Sequence, residues 1–173
     1  STNKNPGMIA SHCLNTVQQL KGVPVRMRCD KGTENAVIGV LQSEVGSPSS
    51  AFVLVLIYRP PPLKKNKLTI QMFLEEFSQL AEIVMEDCTH PLAIVGDFNF
   101  HSDTPNNQDA LKFNDLLDSM HLVQHVKGST HRRGHTLDLI ITRREEKLIA
   151  NVQVLPDVYS DHKVAVSVLW NND

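Results

Sequence analysis

The chain has 173 residues, with 17 lysine and arginine against 19 aspartate and glutamate, for a formal net charge of -2. That length suits one domain with a sizeable core, and the charge balance excludes a global basic field of the kind that drives strong nonspecific nucleic-acid binding. Cys13, Cys29 and Cys88 lie far apart with no CxxC spacing, and no apolar run reaches the length of a membrane span, which argues against a zinc ribbon, a disulfide framework and a membrane helix. The polar opening STNKNPG has no signal-peptide pattern, so the expectation is an intracellular protein, nuclear or cytoplasmic, with reduced thiols.

In chain order, Ile9, Cys13, Leu14, Val17 and Leu20 recur at helical spacing and predict an amphipathic helix within 6–21 that ends near Gly22. Asp30-Lys31-Gly32 reads as a turn, and Ala36 to Leu41 as a strand. The stretch Gly46-Ser47-Pro48-Ser49-Ser50 reads as a linker. Phe52 to Ile57 is apolar throughout, which predicts a central strand, stopped by Pro60 to Pro62. Apolar residues recur every three or four positions from Thr69 to Met85, predicting a helix with Thr69 as N-cap. Leu92 to Val95 reads as a short buried strand between Pro91 and Gly96, Asp109 to Ser119 as a second helix, and 136–142, 150–155 and 163–169 as strands. The layout is mixed α/β.

Chemistry gathers at three of these strand ends. Asp97 and Asn99 follow the strand at 92–95, and residues two apart on an extended segment share a face. They would converge on one point beyond the strand end, although an Asp/Asn turn alone would look the same. Asp138 stands in an otherwise apolar strand, where an ionised carboxylate is costly unless partnered. A histidine is a natural partner, because the carboxylate fixes its tautomer and orients its other nitrogen. Asp161 and His162 stand at the entrance of the strand at 163–169. Two basic runs, Lys64-Lys65 with Lys67 and His131-Arg132-Arg133 with His135, flank strand ends and are candidates for contacting a phosphate backbone; solvated loops would carry the same composition.

Tyr58-Arg59-Pro60-Pro61, Gly96-Asp97-Phe98-Asn99, Leu137-Asp138-Leu139-Ile140 and Ser160-Asp161-His162, in that order, resemble the C-terminal part of the endonuclease/exonuclease/phosphatase superfamily. The wording is most similar to the apurinic-type endonuclease domains of non-LTR (LINE-like) retrotransposons. The resemblance implies an α/β fold, here a partial, truncated two-sheet sandwich flanked by helices and DNase I-like, and Mg2+- or Mn2+-dependent phosphodiester hydrolysis on DNA. It implies that Asp97 and Asn99 position and activate the attacking water and that Asp161, with Asp97, holds the metal. It further implies that His162, oriented by Asp138, contacts the scissile phosphate, and that Tyr58 supplies a hydroxyl there. Arg132, Arg133 and Lys64 become substrate-binding candidates.

The family's N-terminal half normally supplies a catalytic asparagine and a metal-binding glutamate, and residues 1–50 leave little room for the strands that carry them. Glu44 is the one candidate for the glutamate. Arg28-Cys29-Asp30-Lys31-Gly32-Thr33-Glu34-Asn35 faintly resembles the segment around the second acidic residue of integrase-type cores. The expected organisation is therefore an atypical, integrase-like segment at 1–45 and an endonuclease/exonuclease/phosphatase-like domain at 51–173, with a partner chain as one way to complete the sandwich. A phosphomonoesterase of the same superfamily and a noncatalytic binding or assembly module are the alternatives.

Overall fold

The computed structural model describes residues 27–29, 39–45, 52–59, 61, 69–87, 89–99, 101, 103–104, 106–149, 151–155 and 166–169. The helix expected within 6–21, the linker at 46–50, Lys64, Lys65, Lys67 and the segment Tyr159 to His162 lie outside these residues. The described elements are β1 (Met27–Cys29), β2 (Gly39–Val45), β3 (Phe52–Tyr58), α1 (Ile70–Asp87), β4 (Leu92–Asp97), α2 (Gln108–Ser119), β5 (Leu122–Gln124), β6 (Asp138–Arg143), β7 (Asn151–Val154) and β8 (Val166–Leu169). Among them no helix is long and apolar enough to cross a membrane.

Six strands form one sheet in the order β1-β2-β3-β4-β6-β5. Its neighbours are antiparallel except β3 and β4, which run parallel because α1 returns the chain between them. β7 and β8 pair separately as an antiparallel two-stranded sheet. The expected central strand is β3, with a neighbour on each side. β2 runs beyond the expected end at Leu41, on through Gln42 to Val45, because pairing with the whole of β3 outweighs the polar composition there, while residues 36–38 of the expected strand lie outside the described residues. β1 and β5 have three residues each, too few to show a period.

Alternation along β3 decides where the core lies. Val53, Val55 and Ile57 are buried, and they meet Leu92, Ile94, Leu139 and Ile141 from β4 and β6 under the two helices. Thr69 caps α1 as expected, its hydroxyl accepting from Met72 N–H at 3.2 Å, and Asn107 caps α2 by accepting from Asp109 and Ala110 N–H. Phe73 and Phe77 of α1, Phe113 of α2 and Phe98 from the loop after β4 form a cluster with ring centroids 5.2 to 6.2 Å apart. Each ring is at most 1% exposed. Truncating any one of them to alanine would cost about 3–5 kcal/mol. On the opposite face of the sheet, Ala93, Ile140 and Thr142 are also buried and Leu54, Leu56 and Val95 half-buried, as expected of an interior sheet layer.

Candidate active site

The sheet register builds the site. Tyr58 pairs with Asp97 across β3 and β4, and Asp97 pairs with Asp138 across β4 and β6. Three residues singled out from distant motifs therefore stand in one row at one end of the sheet, on strands about 4.8 Å apart, with side chains on a common face. All three are half-buried. Burial raises the Tyr58 phenol above its ordinary range, and the neighbouring Asp97 carboxylate raises it further. At neutral pH the hydroxyl keeps its proton and can donate a hydrogen bond.

Gly96 makes the close register possible. A Cβ there would lie 1.7 Å from the Ile57 carbonyl oxygen, and φ is +152°, so only glycine lets β4 press against β3 immediately before the row. Phe98 then points into the aromatic core while its two neighbours face the site. Asp97 and Asn99 converge, but not by the extended geometry that their spacing predicts. β4 continues through Asp97, and Asn99 has φ +47°, a left-handed conformation that asparagine tolerates better than most residues. The turn folds the amide back: Asn99 Nδ2 donates to Asp97 Oδ2 at 2.7 Å, and Asn99 N–H to Asp97 Oδ1 at 3.1 Å.

Arg59, which the motif reading passed over, ties this turn to β3. It is 3% exposed, lies 5.2 Å over the Phe73 ring and donates from Nη1 to the carbonyls of Phe98 and Asn99. Burial lowers its pKa from the ordinary value, opposed by Asp109 and Asp97. The only sequence signal was its place beside Tyr58 in the YRPP run.

Asp138 is placed by a loop. Thr130, fully buried, accepts from the N–H groups of Leu137 and Asp138 through its hydroxyl, and Leu137 O accepts from Phe98 N–H. The carbonyl of His135 takes the N–H groups of Thr130 and His131, which closes a turn with Arg132 and Arg133 exposed at its tip. The rings of His101 and His135 stack at 3.6 Å, and His135 Nδ1 lies 3.8 Å from Asp103 Oδ1. The loop after Asn99 and the loop before Asp138 are thus braced against each other.

Among the described residues no three His, Cys, Asp or Glu side chains make a metal cluster. Asp97 and Asp138 supply hard oxygen donors, and a magnesium-like ion needs one or two carboxylates with water completing its shell, so the donor chemistry fits. Asp161 and His162 lie outside the described residues. Glu44 does not join this end. It pairs with Val53, while Gly39 is the β2 residue beside Tyr58, and five residues of strand put the Glu44 backbone about 17 Å from the row.

The model of the endonuclease-reverse transcriptase family matches residues 52–166, more than half of the chain and the whole span from Tyr58 to His162. The chain belongs to this family. Its fold is the DNase I-like fold of endonuclease/exonuclease/phosphatase proteins. The endonuclease domain of TRAS1, a telomere-specific non-LTR retrotransposon, superposes with a TM-score of 0.56 at 19% identity, over 79% of this chain and 64% of that one. An endonuclease/exonuclease/phosphatase family protein from Bacteroides thetaiotaomicron gives 0.55 at 14% identity, over 84% and 60%. The human Nocturnin catalytic domain gives 0.51 at 18% identity, over 81% and 56%. The chain thus spans between 56% and 64% of these structures' lengths. No curated protein matches it by sequence.

Proposed function

We propose that this endonuclease-reverse transcriptase family member is the endonuclease of a retroelement, hydrolysing DNA phosphodiesters with a divalent cation, magnesium or manganese. One observation carries the reading: Tyr58, Asp97 and Asp138 stand in a single row across three strands, with the Asn99 amide held on Asp97. A phosphodiester transition state gathers negative charge on its oxygens and needs fixed donors and a hard cation around them. Asp97 and Asn99 orient the attacking water, and Asp97 accepts its proton. The Tyr58 hydroxyl donates to a phosphate oxygen, and His162, oriented by Asp138, contacts the same phosphate. Asp97 and Asp161 would hold the cation, which neutralises charge on the phosphate and eases ionisation of water. Arg132 and Arg133, exposed beside this end, and Lys64 would follow the nucleic-acid backbone.

Nicking of supercoiled plasmid with magnesium is the test. Wild type should nick, chelator should stop it, and Asp97→Ala and His162→Ala should each lower the rate by about 10²–10⁴. Equal background cleavage by all three proteins would sink the reading. Phosphate release from soluble inositol phosphates without nicking would replace it with a phosphomonoesterase.

A further inference from the structure

We infer that Arg59 is a positioning residue, whose buried guanidinium holds the main chain at Phe98 and Asn99 in the conformation that lays the Asn99 amide on the Asp97 carboxylate. The inference rests on the nuclease reading for its catalytic consequence, and on the geometry alone for the clamp.

The contacts are reciprocal. Arg59 N–H donates to Asp97 O at 2.9 Å, and Nη1 donates to Phe98 O at 3.3 Å and Asn99 O at 3.1 Å. In return Asn99 Nδ2, while on Asp97, also donates to Arg59 O at 2.8 Å. One residue thus touches the main chain of all three members of the Asp97-Phe98-Asn99 turn. Burying a cation at 3% exposure is costly, and an apolar side chain would fill the space over Phe73 without that cost. What an apolar side chain cannot do is bridge two successive carbonyls. A lysine keeps the charge but lacks the planar guanidinium that lies over the Phe73 ring and so fixes Nη1 between the two carbonyls. Asn99 sits at φ +47°, so its conformation needs outside support, and the Arg59 contacts supply it where the amide must be aimed.

The experiment compares wild type, Arg59→Met, Arg59→Lys, Asn99→Ala and the Arg59→Met/Asn99→Ala double variant of the full chain. Nicking kinetics are measured together with NMR hydrogen exchange of the Asn99 side-chain amide. Misplacing a catalytic group by about 1 Å costs about 10²-fold, so Arg59→Met should lower kcat about 10- to 100-fold with KM little changed. Arg59→Lys should stay well below wild type despite its charge. In the Asn99→Ala background Arg59→Met should cost about twofold or less, because the two act as one unit. A wild-type rate in Arg59→Lys, or fully additive losses in the double variant, overturns the inference. If Arg59→Met fails to fold, Arg59→Lys decides. If wild type does not nick, the nuclease reading falls, while amide exchange still judges the clamp: faster Asn99 exchange in Arg59→Lys supports it and unchanged exchange overturns it.

Discussion

The two ends of β4 use the same groups in opposite ways. At Leu92, Glu146 accepts the strand's first N–H at 2.8 Å and meets Arg143 Nη1 at 2.6 Å, while Arg143 also donates to His90 O. Guanidinium and carboxylate face each other, and together they secure the strand's entrance. At Asp97, Nη1 of Arg59 takes main-chain carbonyls, and it is an amide that meets the carboxylate. A carboxylate closed in a direct ion pair anchors structure. At the other end the Asn99 amide and main-chain N–H fix the direction of the Asp97 carboxylate beside Tyr58 and Asp138, which is what a base or a metal ligand requires.

A change that separates β3 from β4 should destroy both ends at once. Gly96→Ala places a Cβ against the Ile57 backbone, which cannot yield as a flexible side chain would, so a loss of more than about 4 kcal/mol is expected. Denaturant unfolding should show stability and nicking failing together; an active, stable variant would mean the strands can shift. Tyr58→Phe tests one end alone and should lower kcat about 10- to 100-fold, near the loss seen on removing a preorganised donor. Because the folded phenol's pKa is raised, its contribution to stability is complete below about pH 10 and lost as pH rises through the folded value. Tyr58→Phe should not show that alkaline loss. Glu146→Ala tests the other end: it removes the acceptor of Leu92 N–H and the carboxylate facing Arg143 and should cost about 1–3 kcal/mol. Nicking per folded molecule should stay unchanged, since the sites are too far apart to couple. A tenfold fall would show that the two ends are not independent.

The same contrast governs what the sequence could tell. α1 and α2 were legible because burial of one face imposes a period, β3 because a strand covered on both faces is apolar throughout, and Thr69 because a cap follows from local chemistry. Tyr58, Asp97 and Asp138 could be named from motifs, but their alignment in one row is a property of register, which needs all three strands at once. At Asp97 and Asn99 the residue types fit a turn as well as an extended segment, and only the φ of +47° decides between the two. Arg59 was hidden because nothing local distinguishes a buried arginine from a surface one. Glu44 looked eligible by composition, and only pairing with Val53 shows how far along β2 it lies from Tyr58.

The smallest expected effect lies at neither end. His125 N–H bonds Ile140 O in the middle of β6, and its Nε2 lies 2.8 Å from the Thr142 hydroxyl, which itself donates to Arg143 O. The hydroxyl therefore has its lone pairs to offer, and a neutral ring with its proton on Nε2 satisfies both groups. Burial lowers the His125 pKa below 6.5. Between that folded value and 6.5 the unfolded chain binds the extra proton, so the contribution to stability is full above pH 6.5 and is lost as pH falls through the folded value. His125→Gln keeps a donor for Thr142 and cannot be charged. The ring is only half-buried, so the drop in Tm between pH 7.5 and 5 should shrink by only about 1–2 °C. The pH profile of nicking should not move, because His125 touches neither the Tyr58-Asp97-Asp138 row nor the Glu146 anchor. Identical Tm slopes in both proteins would mean that its burial carries no charge penalty, and a shifted nicking profile would mean that the middle of the sheet reports to the site.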